Sequence, residues 1–171
     1  ETALIGFSGA PWTLMTYLFE GGSSRDFAAT KTYLWSHPDE AVACIEILIE
    51  KVLEFLTVQA ENGANALMLF DSWASAVPAS WREQLIIQPH RKIIERLRQQ
   101  GIHLPVICFP KGLGEGLAAY ADQVEASCIA LDQHTDPVWA HKTLPANLPL
   151  QGNLDPLCLV AGGEQLKKEV M

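Results

Sequence analysis

The residues of this sequence that could do chemistry mostly follow short apolar runs. Five such groups occur, at residues 8–13, 71–73, 111–112, 132–134 and 151–156. Their hydroxyl, amide and carboxylate side chains could orient a polar ligand, and Gly9 would let a bulky ligand approach the backbone closely. The same residue types are also common in ordinary loops and helix caps. The residue types alone therefore leave both interpretations open.

Motifs for metal, phosphate or nucleophilic chemistry are incomplete. The five histidines show neither HxH nor HxxxH spacing, which argues against a histidine metal site. The glycine-rich residues 112–116 lack the spacing of a phosphate-binding loop, and Glu115 among them would repel phosphate. No serine lies in a GxSxG motif. The four cysteines show no CxxC spacing, and we expect them to be reduced and structural.

Apolar runs alternate with helical patterns along the whole chain, and this alternation predicts how the polar groups are positioned. Candidate strands occupy residues 3–7, 66–70, 105–109, 127–131 and 148–152. The longest predicted helix begins at Pro38 and ends near Asn62. Because no hairpin turn separates the strands, the pattern predicts parallel strands joined by crossover helices. Their carboxyl ends would meet at one edge of the sheet, where such folds bind ligands.

The predicted fold class is α/β, and two architectures fit it. One is a doubly wound open sheet, and the other is part of a (β/α)8 TIM barrel. A complete barrel needs about 250 residues. The 171 residues of this chain could therefore form only part of a barrel, and we expect them to form a single domain.

Composition and charge exclude several classes of protein. Hydrophobic residues make up 49% of the chain, which excludes intrinsic disorder. The net charge of −8 argues against a nucleic-acid partner, and the sequence lacks the run of about 20 uncharged apolar residues that a membrane span needs. The sequence begins inside an apolar run, without Met and without the basic start of a signal peptide. We therefore expect it to be part of a longer chain.

Three segments resemble one known family. Residues 6–21, GFSGAPWTLMTYLFEG, closely resemble a signature stretch of the uroporphyrinogen decarboxylases. Residues 69–74 (LFDSWA) and 150–156 (LQGNLDP) resemble two further segments of that family, in the same order. The similarity extends over essentially all 171 residues and corresponds to the middle and late part of the family's chain, roughly half of it.

The resemblance implies a (β/α)8 barrel enzyme of haem biosynthesis, cytoplasmic and usually homodimeric. This family removes carbon dioxide from the four acetate side chains of uroporphyrinogen to give coproporphyrinogen, with no metal or organic cofactor. Protonation of a pyrrole carbon makes the ring an electron sink, the acetate loses carbon dioxide, and the exocyclic carbon is then reprotonated. Such a protein must bind a large polyanion and stabilise a cation that develops beside it.

The resemblance also implies which residues of this chain bind substrate. Tyr17 matches a tyrosine whose hydroxyl reaches the substrate, and Ser72 matches a serine that donates a hydrogen bond to a substrate carboxylate. Phe7 and Phe70 would be apolar walls of the macrocycle pocket, or else ordinary barrel core. In the family an Asp-Trp pair is typical at the exit of the strand that matches residues 127–131, whereas here Asp132 is followed by a glutamine.

No catalytic residue of the family is expected within this chain. The central aspartate, the arginine-rich segment and the late histidine of the family correspond to positions before Glu1 or after Met171. We therefore expect the chain to be inactive alone. Arginines outside the chain would also explain why a protein that binds a polyanion is acidic over these residues.

Two alternative functions remain. Corrinoid and coenzyme M methyltransferases of the same superfamily bind zinc through a His-x-Cys on a strand, whereas residues 106–109 (VICF) contain Cys108 without the histidine. The other alternative is a non-catalytic remnant that acts as an interaction module. Because a partial barrel exposes sheet edges near residues 3–7 and 148–151, we also predict that the chain forms a homo-oligomer.

Overall fold

The apolar runs form five parallel strands in the computed structural model, which describes residues 2–22 and 24–170. The strands are β1 (Ile5–Gly9), β2 (Ala66–Asp71), β3 (Val106–Pro110), β4 (Cys128–Ala130) and β5 (Leu150–Gln151). Each strand pairs with the next one along the chain, so their order in the sheet is β1-β2-β3-β4-β5. A doubly wound sheet reverses its strand order, whereas a (β/α)8 barrel keeps it. The α/β class is confirmed, and the architecture is that of a partial barrel.

Helices connect the strands, as the alternation predicts. They are α1 (Pro11–Glu20), α2 (Ala28–Ser36), α3 (Pro38–Glu61), α4 (Gln88–Gln99), α5 (Gly116–Gln123), α6 (Pro137–Thr143), α7 (Pro156–Ala161) and α8 (Gly163–Val170). None of the helices in the described part of the chain is both long enough and apolar enough to cross a membrane.

Local sequence signals explain where several helices begin and end. Pro11 and Pro38 stand in the first turns of α1 and α3, where a backbone N–H would have no partner in the helix. Asp136 and Asp155 cap α6 and α7, and each accepts a backbone N–H at 2.8 Å. Gly21 ends α1 in the left-handed region, at φ 64°. These boundaries follow from the local sequence.

The second helix differs from its prediction. After the glycines at 21 and 22, the sequence predicts a helix from Arg25 to about Trp35 that Ser24 caps, but α2 begins at Ala28. Phe27 adopts a left-handed conformation, with φ 52°, and donates its N–H to Ser24 Oγ at 3.0 Å. The Ser24 side chain therefore stabilises a turn before the helix rather than its first residues.

The sequence also predicts a helix from about Trp81 to Gln99, ended by Gly101, but this segment is not uniform. It begins as a π-helix over Glu83–Ile87 and continues as α4. Pro89 has no backbone N–H, and its ring crowds the carbonyl one turn earlier, which accounts for the wider turns before it. Two short 3-10 turns, Ala74–Ala76 and Ala79–Trp81, precede this segment.

The sheet has two unlike faces because side chains alternate along each strand. The covered face packs against the helices and comprises Leu67, Leu69, Asp71, Val106, Cys108 and Ile129, all buried. The open face carries Ile5, Phe7, Phe70, Ile107 and Phe109, which are exposed or half-buried, together with Met68, which is buried between its neighbours. The main core lies between the covered face and the helices, and α3 contributes to it Ile45, Ile49, Val52 and Leu56.

Candidate functional site

The polar groups that follow the strands lie at one edge of the sheet, because all five strands are parallel. One of these groups stabilises loops. Asp132 accepts the backbone N–H of Gly112 at 2.7 Å and that of His134 at 2.8 Å, so its carboxylate ties the exits of β3 and β4 together. Asp155 instead caps the start of α7, where its carboxylate accepts the N–H of Leu157 at 2.8 Å.

Three phenylalanines from neighbouring strands form a row on the open face. The ring centroids of Phe7 and Phe70 are 5.9 Å apart and those of Phe70 and Phe109 are 6.1 Å apart, with interplanar angles of 89° and 90°. Phe7 is 59% exposed, and the other two rings are half-buried. The row is an apolar surface that a large ring system could contact. Phe109 is not among the predicted site residues, although the strand register places it opposite Phe70.

Tyr17 and Ser72 come from different elements. Tyr17 lies on α1, is 52% exposed, and helps to line a cavity of about 450 Å³. The other residues that line this cavity are Thr16, Gly21, Gly22, Ser24, Phe27 and Trp73. Ser72 is half-buried directly after β2. The structure therefore brings Phe7 and Phe70 together. Tyr17 lines a separate cavity, and Trp73, which follows Ser72 in the sequence, lines the same cavity.

A polar cluster that the sequence analysis did not predict lies behind the covered face. Thr13 Oγ1 donates to Asp71 Oδ1 at 2.6 Å, and His90 Nε2 lies 3.3 Å from Asp71 Oδ2. His90 Nδ1 lies 2.6 Å from the Tyr120 hydroxyl. The side chains of Asp71, His90 and Tyr120 are fully buried. Because an unpaired ionic group is costly away from water, the members of the cluster depend on one another.

The neighbours of His90 determine its charge. Burial alone lowers the pKa of His90, but Asp71 and Cys108 outweigh burial and raise this pKa to about 9. The pKa of Tyr120 lies well above its usual range because of burial first, and then because of Cys108 and Asp71. At neutral pH the imidazole is therefore protonated and the phenol is neutral. The contact between Nε2 and Oδ2 is an ion pair rather than a well-aligned hydrogen bond.

A signal for this cluster is present in the sequence. His90 stands four residues after Ile86 and four before Ile94, and so occupies a core position of a helical apolar stripe. A histidine in such a position needs a buried polar partner. Helical spacing does not tell which of the carboxylates elsewhere in the chain is that partner, and only the folded chain identifies Asp71.

Metal ligands do not come together in the described part of the chain. Within residues 2–22 and 24–170, no group of three or more His, Cys, Asp or Glu side chains could hold a metal ion. The four cysteines are free thiols. Cys108 is buried on the covered face, where its thiol adjoins His90 and Tyr120 rather than the open face. This position argues against zinc bound through Cys108 at the open face.

The chain is similar to known proteins over its whole length. A uroporphyrinogen decarboxylase of Novosphingobium aromaticivorans is 42% identical over 171 residues, which are 100% of this chain and 50% of that relative. The uroporphyrinogen decarboxylase of Maricaulis maris is 41% identical over 169 residues, and that of Erythrobacter litoralis is 42% identical over 166 residues. These matches cover 99% and 97% of this chain and 49% of each relative.

The chain thus spans about half the length of the curated relatives it matches. The model of one protein family, described as uroporphyrinogen decarboxylase (URO-D), also matches it from residue 1 to residue 171. Since both the family model and the relatives account for the whole sequence, the chain belongs to the uroporphyrinogen decarboxylase family.

Proposed function

We propose that this chain contributes one wall of the substrate site in an enzyme that decarboxylates the acetate side chains of uroporphyrinogen to give coproporphyrinogen. The row of phenylalanines on the open face carries the proposal, in a chain whose family is named for that reaction. The chain spans half the length of its relatives, so the proposal assigns the remainder of the site to the other half of the enzyme. Residues 1–171 would be one domain, a portion of the barrel.

The phenylalanine row suits the macrocycle of this substrate. Pyrrole rings have apolar faces, and contact with Phe7 and Phe70 would remove that surface from water. When a pyrrole carbon is protonated the ring becomes cationic, and the electron-rich face of a nearby phenylalanine stabilises that cation. The row would therefore interact more strongly with the protonated ring than with the unprotonated ring of the substrate, as catalysis requires. The proposal needs no cofactor, because the protonated pyrrole itself accepts the electron pair.

In this proposal Tyr17 and Ser72 bind the side chains of the substrate. Each hydroxyl can donate a hydrogen bond to a carboxylate, and such a bond to a charged group contributes about 1.5–3 kcal/mol. The reacting acetate loses its charge as carbon dioxide forms, so a hydrogen bond to that acetate would stabilise the ground state and slow the reaction. The two hydroxyls are therefore assigned to side chains that do not react in a given step, and they position the macrocycle.

A chimeric enzyme tests this function directly. Residues 1–171 would replace the matching half of the Novosphingobium aromaticivorans decarboxylase, and coproporphyrinogen formation would be measured under anaerobic conditions. We expect turnover by the chimera and none by the isolated chain. A chimera that folds, as judged by circular dichroism and gel filtration, but forms no product would contradict the proposed function. Turnover by the isolated chain would contradict the placement of the catalytic residues outside it.

We also propose that the isolated chain self-associates through its sheet edges. In the described residues β1 and β5 form these edges, and unpaired edges bind other strands. The edge of β1 is partly occupied, because the Phe7 N–H donates to Gln59 Oε1 at 2.7 Å and Gln59 Nε2 donates to the Phe7 carbonyl at 3.0 Å. Gln59→Ala should therefore strengthen association, whereas Gln123→Ala at the exposed end of α5 should not.

Light scattering over a range of concentrations measures this association. We expect the parent chain to be larger than a monomer at high concentration, and the Gln59→Ala chain to reach the same size at a lower concentration. A monomer in both chains at every concentration would contradict the proposed association. The enzymatic proposal does not depend on this result.

A further inference from the structure

We propose that His90 is a positioning residue: by holding the Asp71 carboxylate it fixes α1 against the end of β2, and so determines where Tyr17 and Ser72 lie. The assignment of Tyr17 and Ser72 to substrate rests on the proposed function. The connection from His90 to the two elements that carry them rests on the contacts of the buried cluster. His90 is fully buried and cannot touch a ligand itself.

Thr13 connects the buried carboxylate to α1. Its hydroxyl donates to Asp71 Oδ1 at 2.6 Å, and its oxygen accepts the backbone N–H of Trp73 at 3.3 Å. Tyr17 lies one helical turn beyond Thr13, on the same side of α1. A shift of the Asp71 carboxylate therefore moves α1, and Tyr17 moves with the helix.

Ser72 lies between two residues that the first turn of α1 holds. On one side, Asp71 accepts the hydroxyl of Thr13. On the other side, the carbonyl of Trp73 accepts the indole N–H of Trp12 at 2.9 Å. The backbone on both sides of Ser72 is thus attached to α1, and the Asp71 carboxylate is an acceptor at the centre of this attachment.

His90 holds the second oxygen of that carboxylate. Its Nε2 faces Asp71 Oδ2 at 3.3 Å, and its Nδ1 faces the Tyr120 hydroxyl at 2.6 Å. The titratable groups around the ring come from three elements: Asp71 from β2, Cys108 from β3 and Tyr120 from α5. From α1, the neutral hydroxyl of Thr13 reaches the far side of the carboxylate. The ring is therefore the one cation among the groups named here, and it is held in place from both of its nitrogens.

A neutral residue at position 90 would leave the Asp71 carboxylate buried with a hydroxyl as its partner. A buried carboxylate without a cation is costly, so the carboxyl group would take up a proton or the segment would move toward water. Both responses change the charge or the position of the Asp71 oxygen that accepts the hydrogen bond from Thr13. The position of α1 relative to the end of β2 therefore depends on a residue that never contacts the ligand.

Nuclear magnetic resonance of the 171-residue chain tests this connection without a mutation. The methyl carbon of Thr13 and the Cε1 of His90 would be followed from about pH 6 to about pH 10, a range that spans the unperturbed and the raised pKa of the imidazole. We expect the Thr13 signal to change together with that of His90 as the ring loses its proton. Thr30 is the matched control, because it is also buried and donates to a carboxylate, that of Glu20. A Thr13 signal that changes no more than that of Thr30 would overturn the proposal.

Uroporphyrin binding separates this inference from the proposed function. Uroporphyrin, the oxidised and fluorescent form of the substrate, would be titrated into the chimeric enzyme, which supplies the rest of the site, and into single variants of it. We expect His90→Gln to weaken binding about two- to thirtyfold, the range of coupling through residues that do not touch a ligand. His103→Gln, at an exposed position, should leave binding unchanged.

The outcomes of that titration are distinct. If neither the chimeric enzyme nor any of its variants binds uroporphyrin, the proposed function fails, and the Thr13 measurement alone decides whether His90 positions α1. If Tyr17→Phe weakens binding while a folded His90→Gln chain binds as the parent does, the positioning role is overturned. If His90→Gln does not fold, the Thr13 signal of the parent chain across the same pH range decides whether His90 has this role.

Discussion

The covered face and the open face of the sheet use the same alternation of side chains in opposite ways. On the covered face, Asp71 is buried and paired with Thr13 and His90, and this pairing attaches one element to another. On the open face, Phe7 and Phe70 are apolar and accessible, and they contact each other edge to face. Buried charge thus fixes geometry in this protein, whereas accessible apolar area supplies a surface for binding. Substitutions on the covered face should therefore lower the free energy of unfolding, whereas substitutions on the open face should weaken ligand binding.

Loss of the imidazole behind the covered face should have the largest effect on stability. His90→Ala leaves the Asp71 carboxylate buried without its cation, and breaking a buried ion pair in this way costs about 3–5 kcal/mol. The double variant Asp71→Asn, His90→Gln should lose less, because no charge remains buried. Urea unfolding measures both losses, with His103→Ala at an exposed position as the control. Equal losses for His90→Ala and His103→Ala would show that the cluster does not stabilise the fold.

A rise in pH should also weaken the covered face. Burial lowers the pKa of His90, but Asp71 and Cys108 outweigh it and bring this pKa to about 9, against about 6.5 for an unperturbed histidine. The folded chain therefore binds this proton more tightly than the unfolded chain, so the stabilisation is complete below about pH 6.5 and is lost as the pH rises through about 9. One pKa unit corresponds to about 1.4 kcal/mol, which makes the loss roughly 3 kcal/mol.

Urea unfolding at about pH 6 and at about pH 9.5 measures this difference, because the two values lie on either side of the raised pKa. The free energy of unfolding of the parent chain should fall between the two pH values, and that of His90→Gln should fall much less. His141→Gln, at an exposed position, is the matched control and should behave as the parent chain. The same fall in all three chains would assign the pH dependence to other groups.

The hydroxyls assigned to substrate should affect the reaction and not the fold. Tyr17→Phe and Ser72→Ala, each made in the chimeric enzyme, should lower kcat/KM about ten- to hundredfold, because each loses a hydrogen bond to a charged group worth about 1.5–3 kcal/mol. The loss should appear mainly as a higher KM, because the bonded side chains do not react and are held equally in the ground state and the transition state. Because the Tyr17 side chain is about half exposed, the free energy of unfolding of the Tyr17→Phe enzyme should stay near that of the parent enzyme. Unchanged kinetics in both variants would remove these residues from the site.

Replacing a phenylalanine of the open face with alanine should have the smallest effect on stability. Phe7→Ala should change the free energy of unfolding by less than about 1 kcal/mol, because most of the ring is already exposed. Leu67, which is buried on the covered face, is the reference, and Leu67→Ala should lose about 2–5 kcal/mol. Uroporphyrin binding should show the reverse order, with Phe7→Ala the weaker binder. A large loss of stability in Phe7→Ala would mean that the ring belongs to the core.

Patterns among neighbouring residues predict many of the helices and strands, and contacts with distant residues explain the boundaries that they predict wrongly. Pro38 and the apolar stripe that follows predicted α3 to within one residue of its end at Glu61. β1 was expected over residues 3–7 but lies two residues later, because Ser8 and Gly9 pair with Leu69 and Phe70 of β2. Ser and Gly look like the start of a turn when they are read locally. Pairing with a strand some sixty residues away extends the strand through them.

The candidate site also combines residues that the sequence predicts with residues that only the folded chain brings together. Resemblance to the family indicated Phe7 and Phe70, and the structure places these two rings in contact. Phe109 joins them only through the register of β3 against β2, which no local pattern encodes. Tyr17 and Ser72 keep their roles as predictions.

By itself, the sequence determined the α/β class, the order of strands and helices, and the resemblance to a family, because hydrophobic periodicity, caps and signature segments are properties of neighbouring residues. Hydrophobic periodicity left the doubly wound sheet and the barrel open, and the resemblance to the family predicted the barrel. The strand order of the folded chain confirms the partial barrel, because the two architectures differ in which strands lie side by side. Only the tertiary structure paired Asp71 with Thr13, 58 residues away, and His90 with Tyr120, 30 residues away. Contacts between residues so far apart form when packed elements bring them together, and no local interaction specifies them.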